Sequence, residues 1–185
     1  MSFARETEQE LLQRIARGEE HALRELHRRF ARRIYAFALN RLHDEGEAEA
    51  IVSDTLYEVW RFPLRFRGES SFSTWLLGIS RNKILSALRA RRAPYEELDE
   101  DMPSQDLGVF EVLAEEEHRR GVRHCPEKLQ DLHRECLYLV FYEGLALAQV
   151  AQLQQCPENT VKTRLFHARQ KIKGCLERLL RDEMA

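Results

Sequence analysis

The amino-acid sequence predicts an all-α protein in which a flexible acidic linker joins two small helical domains, the C-terminal one a helix-turn-helix. Apolar residues recur with a period near 3.6, no segment alternates convincingly with a period of two, and one central segment is acidic and poor in apolar residues. The chain has 185 residues, of which 43% are apolar and 32% charged. Such a chain can bury one good core or two small ones.

The N-terminal half carries the signals of four helices. Breaks in the helical pattern are expected near Gly18, at residues 43–46 and at residues 62–71, the last of which contains a proline and a glycine. One of the two serines that end the last break can cap the next helix. We assign residues 1–93 to the first domain.

A proline-containing, acidic stretch separates this domain from the next one. Residues 94–108 contain few apolar side chains and are predicted to form the linker. Residues 109–185 form the second predicted domain. Its predicted helices cover residues 109–121, 126–142, 147–154 and 158–181.

The formal net charge of −2 conceals an uneven distribution along the chain. Residues 1–93 carry 17 cationic and 13 anionic side chains, residues 94–121 carry 2 and 10, and residues 122–185 carry 10 and 8. Two mildly basic ends therefore flank an acidic middle. This asymmetry suggests two modules that face a polyanion, joined by a segment that nucleic acid repels, although an ordinary solvated linker explains the middle equally well.

Several classes of protein do not fit the sequence. No apolar run approaches the roughly 18 residues that a membrane span requires, and the N-terminus lacks the apolar core of a secretory signal, so we expect a cytoplasmic protein. The cysteines stand singly, and in a reducing compartment we expect free thiols. His133 and Cys136 share a helical face and could form half of a metal site with His124 and Cys125, but core or surface roles are favoured and no metal site is predicted.

Residues 147–169 follow the pattern of a helix-turn-helix. The small side chain of Ala151 lets two helices approach closely, and Val161 is placed to pack between them. The turn position that Gly usually fills is Gln155 here. Either this residue adopts a positive φ, or the turn differs.

A helical wheel of the last helix separates two faces. The apolar residues that fall within about 40° of one another form the predicted buried stripe. They are Val161, Leu165, Ala168, Ile172 and Leu179. The opposite face holds Asn159, Lys162, Thr163, Phe166, Gln170 and Lys173.

Phe166 is the anomaly of that polar face. An aromatic ring gains nothing from water, so a partner surface is expected, and a thymine methyl group in the major groove is one suitable match. A neighbouring domain or a protein partner is the alternative. The cations around it can bind phosphates or be merely solvated. They are Lys162, Arg164, Arg169 and Lys173.

Aromatic and cationic residues also interleave between residues 61 and 92. Rings that stack on bases, together with cations that bind phosphates, are what binding of a single strand requires. Phe72 and Trp75 are also expected to contribute in part to the core, because Phe72 lies on an apolar helical stripe. Asn82 can both donate to and accept from a base edge, so it is the best candidate for recognising an extruded base.

Two segments together resemble the DNA-binding regions of extracytoplasmic-function sigma factors, namely FRGESSFSTWLLGISRNKILSALRARR and NTVKTRLFHARQKIK. The resemblance covers nearly the whole chain, and the two motifs occur in the family's order. It implies that the first domain binds core RNA polymerase and melts the minus-ten element, while the second recognises the minus-thirty-five element as duplex. It also implies that no metal or nucleotide cofactor is needed, because the polymerase performs the chemistry.

The resemblance and the patterns above give three sets of candidate residues. For the minus-ten single strand they are Phe66, Arg67, Ser71, Phe72, Trp75, Arg81, Asn82 and Lys83. For the minus-thirty-five duplex they are Asn159, Lys162, Thr163, Arg164, Phe166, His167, Arg169 and Lys173. For the polymerase they are Glu49, Asp54, Glu58, Trp60 and Arg61.

The chain departs from the family pattern in the polymerase-binding helix. Ala50 and Ser53 stand where the family usually has acidic and glutamine side chains, so polymerase binding through residues 49–61 is expected but weakened. Ser86 replaces a frequent aspartate. Members of the family are usually inhibited by an anti-sigma factor, often membrane-bound, and we expect one here, with the linker allowing a compact inhibited and a spread polymerase-bound arrangement.

Two alternatives belong to other functional classes. A conventional helix-turn-helix regulator would not need the aromatic and basic stretch before residue 92. A sigma-like decoy or adaptor, which binds polymerase or an inhibitor without melting promoters, is suggested by the departures at Ala50 and Ser53. No enzyme is expected, because the sequence contains no nucleophile elbow, phosphate loop or metal-ligand spacing.

Overall fold

A computed structural model describes residues 7–92, 125–126 and 128–182. The described residues form seven α-helices, one 3₁₀ turn and one π-helical segment, without a strand among them. The all-α prediction is confirmed. The chain divides into two compact units, Met1–Leu107 and Gly108–Ala185. The predicted linker and the helix predicted for residues 109–121 lie outside the described residues.

Unit 1 contains the four predicted helices. They are α1 (Glu8–Ala16), α2 (Glu20–Leu42), α3 (Glu45–Arg61) and α4 (Phe72–Arg92), with a 3₁₀ turn (Pro63–Arg65) before α4. Three of the helices begin at polar caps: Thr7 forms a capping box with Glu10, and the Asp44 and Ser71 side chains accept backbone N–H groups of α3 and α4.

Helix α2 is the centre of unit 1. It packs against α1, α3 and α4. Leu26, Ile34 and Phe37 on α2 are fully buried, and Val59 from α3 and Leu76 from α4 are also buried. Full burial of each such side chain contributes about 1.5–3 kcal/mol. This packing fixes how α3 and α4 lie beside each other.

Unit 2 contains α5 (Asp131–Leu137), a π-helical segment (Tyr138–Tyr142), α6 (Leu147–Gln154) and α7 (Glu158–Asp182). The single helix predicted for residues 126–142 is therefore wrong in detail. Residues 128–130 form a turn in which the Leu129 N–H donates to the Pro126 carbonyl, and α5 begins only after it. Helical periodicity alone cannot distinguish one continuous helix from a helix preceded by such a turn.

Gln155 ends α6 in the left-handed region, with φ 51° and ψ 47°. Of the two alternatives for the turn, a positive φ at a residue other than Gly is the observed one. The Cys156 N–H donates to the Ala151 carbonyl at 3.0 Å, which satisfies one of the last carbonyl groups of α6.

The expectation of free thiols is wrong for two of the cysteines. Cys125 and Cys175 form a disulfide bond, with Cα atoms 5.7 Å apart and a sequence separation of 50. Cys136 and Cys156 are free. The sequence suggested otherwise because neither cysteine stands in a recognisable pair, and only folding brings Cys125 beside Cys175 of α7.

We predict that the disulfide stabilises unit 2 substantially. Closing a loop of this length lowers the conformational entropy of the unfolded chain and contributes about 4 kcal/mol in the chain-entropy model. Cys175→Ser should lower the free energy of unfolding of the oxidised protein by that amount in urea titrations, whereas Cys156→Ser should change it little. Equal stability of the wild-type protein with and without reductant would contradict this prediction.

Candidate nucleic-acid interface

Helix α7 presents the predicted polar face and three of the five residues of the predicted buried stripe; Ile172 is half-buried, and the Leu179 side chain lies outside the described part of the chain. Val161, Leu165 and Ala168 are buried, whereas Phe166 is 58% exposed on the other side of the helix. Cys175 completes the buried stripe. The ring of Phe166 meets His167 edge to face at 5.6 Å, so it is held by a neighbour while remaining accessible.

The outer cations of α7 make only weak ion pairs. Lys162 lies 3.0 Å from Glu158 and Lys173 lies 3.8 Å from Glu177, each one helical turn away and solvent-exposed. Exposed pairs of this kind contribute at most about 1 kcal/mol, so a phosphate can replace the carboxylate at little cost. Asn159 and Thr163 are exposed on the same side, and the Thr163 hydroxyl donates to the Asn159 carbonyl.

Arg164 has a different environment from the other cations. Its guanidinium donates to Gln154 Oε1 at 2.6 Å and lies 3.4 Å from the Cys156 Sγ atom. The side chain is half-buried and joins α7 to the end of α6. In this arrangement Arg164 braces the turn of the helix-turn-helix, a role that the sequence did not suggest.

The buried Gln154 connects three helices. Its Nε2 donates to Glu135 Oε2 at 2.7 Å and to the Leu132 carbonyl at 3.3 Å. Its Oε1 accepts from Arg164 and also from the Cys136 thiol at 3.0 Å. Burial raises the pKa of the Cys136 thiol to about 11, so that it remains a protonated donor at neutral pH. One amide thus uses both donors and both acceptor positions to orient α5, α6 and α7.

We predict that Gln154→Leu lowers the stability of unit 2 by about 1–3 kcal/mol, because it removes a partner from several buried polar groups. Chemical unfolding followed by circular dichroism measures the change. The exposed Gln152 on the same helix provides the matched control Gln152→Leu. Equal unfolding midpoints for the two variants would contradict the role given to the Gln154 amide.

Residues outside the predicted set also border the α7 face. The Arg169 guanidinium lies over the ring of Phe141, 5.1 Å from its centroid, and Phe141 and Tyr142 are both exposed on the π-helical segment. His167 stacks on His133, whose pKa is lowered by burial and by nearby cations. A wheel of α7 could not reveal these neighbours, because they lie on another element.

In unit 1 the predicted aromatic residues form one cluster. The rings of Phe66, Phe72 and Trp75 lie 5.3–5.5 Å from one another. Phe72 is buried against Phe30 of α2, whereas Phe66 and Trp75 are half-exposed. Phe72 therefore acts as a support for the other two rings. Between Phe66 and Phe72 the chain turns at Gly68, where φ is +76°.

Asn82 is exposed two turns after Trp75, on the same face of α4. Arg81, beside it, is only 7% exposed, so its side chain is not presented to solvent in this arrangement. Lys83 is half-buried and forms an ion pair with Glu58. Arg67 and Ser71 are exposed near the aromatic cluster. The structure thus brings Phe66, Trp75 and Asn82 to one surface.

The predicted polymerase-binding helix exposes both polar and aromatic groups. Glu49, Asp54 and Arg61 are exposed, and Trp60 is 48% exposed. Ala50 and Ser53, the two departures from the family pattern, are also exposed. They therefore alter the solvent-exposed surface of α3 and leave the side that packs in the hydrophobic core unchanged.

A groove of about 720 Å³ lies next to the end of α3. Trp60, Phe62 and Leu64 form part of its wall, and Leu64 is 72% exposed. Tyr57, whose ring lies 5.6 Å from that of Trp60, extends this apolar surface. Tyr57 was not among the predicted residues. A helical wheel could have identified it, because the wheel places Tyr57 opposite the buried stripe of α3.

Comparisons with known proteins agree with this arrangement. Residues 26–93 match the model of sigma-70 region 2, and residues 119–172 match that of sigma-70 region 4. The RNA polymerase sigma-H factor of Pseudomonas aeruginosa is 30% identical over 195 aligned residues, which cover 97% of this chain and 99% of the relative. The chain belongs to the extracytoplasmic-function sigma factors.

A second relative and one solved structure extend the comparison. The extracytoplasmic-function sigma factor SigK of Mycobacterium ulcerans is 30% identical over 174 residues, covering 90% of this sigma factor and 92% of SigK. The fold is similar to that of the sigma factor RpoE of Bartonella quintana, solved in complex with the anti-sigma factor NepR, with a TM-score of 0.65 and 22% identity. That match covers 83% of this sigma factor and 96% of RpoE.

The protein is therefore an alternative sigma factor that directs RNA polymerase to promoters. Sigma factors are non-catalytic initiation factors that bind DNA. No helix within the described ranges is both long and apolar enough to cross a bilayer. In the same part of the chain, no three His, Cys, Asp or Glu side chains are grouped so that they could hold a metal ion.

Proposed function

We propose that this sigma factor divides promoter recognition between its two units. The first domain, residues 1–93, captures unpaired bases of the minus-ten element, and the second domain, residues 109–185, recognises the minus-thirty-five element as duplex; residues 94–108 link them. The observation that carries this proposal is that both units expose aromatic rings among cations on otherwise polar surfaces. Covering such a ring with a partner surface removes it from water and lowers the free energy.

The surface of unit 1 suits a single strand. Phe66 and Trp75 present ring faces on which unpaired bases can stack, and the exposed carboxamide of Asn82 can recognise a base edge. Arg67 can bind the backbone phosphates. Stacking contributes about 1–3 kcal/mol for each base, which offsets part of the cost of unpairing it.

The surface of unit 2 suits a duplex. A single α-helix fits the major groove, where the Phe166 ring can contact a thymine methyl group and Asn159 can reach a base edge. Lys162, Arg169 and Lys173 stand at the margins of the face and can bind phosphates. This places base recognition at the centre and backbone binding at the rim.

Polymerase binding is assigned to α3. The exposed Glu49, Asp54, Trp60 and Arg61 supply charge together with aromatic surface, and the groove at the end of the helix adjoins them. The polymerase performs the chemistry, so we assign no enzymatic activity and no cofactor to the sigma factor itself. Its site of action is the cytoplasm.

Regulation by an anti-sigma factor completes the proposal. The structurally similar RpoE was solved with such an inhibitor, and both units here expose apolar side chains that an inhibitor could cover. An anti-sigma factor, membrane-bound in some members of the family, would prevent access of the polymerase to α3.

Run-off transcription tests the proposed function. Bacterial core polymerase is incubated with or without the protein on genomic fragments from upstream of its own gene. A discrete new transcript would support the proposal and define a promoter. Core binding without a transcript would favour a sigma-like decoy, and specific DNA retention without core binding would favour a conventional regulator.

The role of Phe166 gives a quantitative prediction. Phe166→Ala should weaken binding to the minus-thirty-five duplex of that promoter by about 1–3 kcal/mol and leave binding to a scrambled duplex unchanged. Lys162→Gln, which removes a phosphate contact, should weaken both equally and lower the salt dependence. Measured by fluorescence anisotropy, the same loss on both duplexes for Phe166→Ala would contradict base recognition.

The role of Asn82 is tested by promoter opening. Asn82→Ala should leave binding to the minus-thirty-five duplex intact and reduce the permanganate reactivity of thymines in the melted minus-ten region, because the base loses its hydrogen-bonding partner. Ser86→Ala, one turn further along α4, is the matched control. Unchanged thymine reactivity in the Asn82 variant would remove this residue from the proposed site.

A further inference from the structure

One carboxylate in unit 1 contacts α4, which carries several strand-binding candidates, and the 3₁₀ turn that precedes Phe66. Glu58 Oε2 lies 3.0 Å from the Lys83 Nζ atom, and its Oε1 lies 3.7 Å from the Arg65 Nη1 atom. Glu58 belongs to α3, Lys83 to α4, and Arg65 to the 3₁₀ turn between them. A single side chain therefore links three successive elements.

The ion pair with Lys83 is partly shielded from water. The Glu58 side chain is 33% exposed and that of Lys83 is 24% exposed. Solvent and salt screen such a pair less than the exposed pairs of α7. Lys83 is consequently held against α3 and is poorly placed to act as a freely extended phosphate ligand.

The contact with Arg65 reaches the 3₁₀ turn, where the Arg65 side chain is 60% exposed, so this ion pair is weaker than the one with Lys83. The Arg65 guanidinium also lies over the ring of Phe62, 3.9 Å from its centroid. The guanidinium is thus held by an aromatic face and by a carboxylate, which restricts the 3₁₀ turn immediately before Phe66. Phe66 in turn packs on Phe72 and Trp75.

Each of the two cations is adjacent in sequence to a proposed base-contacting residue. Arg65 precedes Phe66, and Lys83 follows Asn82. A single carboxylate that binds both cations therefore restricts the positions of Phe66 and Asn82 on the proposed single-strand surface. A base stacked on Phe66 and recognised by Asn82 needs these two residues at a fixed separation, because small displacements weaken both stacking and hydrogen bonding.

We propose that Glu58 is a positioning residue of the strand-binding surface, and that the polymerase does not depend on it as a ligand. Through Arg65 and Lys83 it holds the 3₁₀ turn before Phe66 at a fixed distance from helix α4, which carries Asn82. Its carboxylate already lies near two cations, so a polymerase cation would compete with them for the same negative charge. This inference rests on the proposed minus-ten function of unit 1.

The test compares four variants in the complete sigma factor bound to core polymerase. They are Glu58→Gln, Lys83→Glu, the charge swap Glu58→Lys with Lys83→Glu, and Glu20→Gln. Glu20 is the matched control, since it pairs with Arg24 at 3.1 Å on the exposed side of α2. Two quantities are measured: affinity for core polymerase, and permanganate reactivity of the minus-ten thymines at the promoter found by run-off transcription.

Glu58→Gln should reduce opening about three- to tenfold at saturating holoenzyme while core affinity stays within about twofold. Lys83→Glu should reduce opening further, because it places two carboxylates together. The charge swap should recover part of the loss, with full recovery prevented by the neighbouring Arg65. Glu20→Gln should match the wild type in both measurements.

Three results would overturn the inference while leaving the proposed function intact. They are loss of core affinity with normal opening in the Glu58→Gln holoenzyme, unchanged opening in that variant, and a charge swap no better than Lys83→Glu alone. The first of these would make Glu58 a polymerase ligand. A wild-type holoenzyme that opens no promoter would instead overturn the proposed function, and this inference with it.

Discussion

The packing of α2 against three other helices is the interaction on which unit 1 depends. Its buried residues, among them Ile34 and Phe37, hold α3 and α4 side by side. Each of these helices then has one face in the core and another in water. The proposed polymerase-binding and strand-binding surfaces are the outer faces left by this arrangement, so the core sets their geometry.

In unit 2 a polar contact at the centre holds the helices in position. The short helices α5 and α6 pack against the longer α7, and Gln154 adds directional hydrogen bonds that fix the orientation of the three helices. Apolar contacts alone tolerate small rotations of packed helices, whereas a buried amide with four partners does not. The angle at which α7 leaves the turn, and hence the surface it offers to DNA, follows from that amide.

The sequence predicted most accurately what a single element determines. The burial of Val161, Leu165 and Ala168 on α7 and the exposure of Phe166 follow from helical periodicity alone, and both are observed. Phe66, Phe72 and Trp75 were named together as strand-binding candidates, and the partial burial of Phe72 was predicted from its apolar stripe; the structure adds that the three rings pack on one another. These residues are close in sequence, so local spacing places them together.

What could not be predicted depends on partners distant in sequence. Arg164 was expected to bind phosphate, but its position beside Gln154 is decided by the turn between α6 and α7. The Cys125–Cys175 bond and the pairing of Glu58 with Lys83 likewise join different elements. A helical wheel describes one helix at a time. It does not show which residue of another element a side chain at the boundary of the buried face will contact.

The exposed rings of Tyr57, Trp60, Phe141 and Phe166 have a consequence for the abundance of the protein. Every uncovered ring raises the free energy of the unbound chain relative to any state in which the ring is covered, whatever covers it. Self-association and proteolysis therefore compete with productive assembly as the unbound pool grows. The supply of partners sets how much of this chain a cell can keep in usable form, and production beyond that supply is lost.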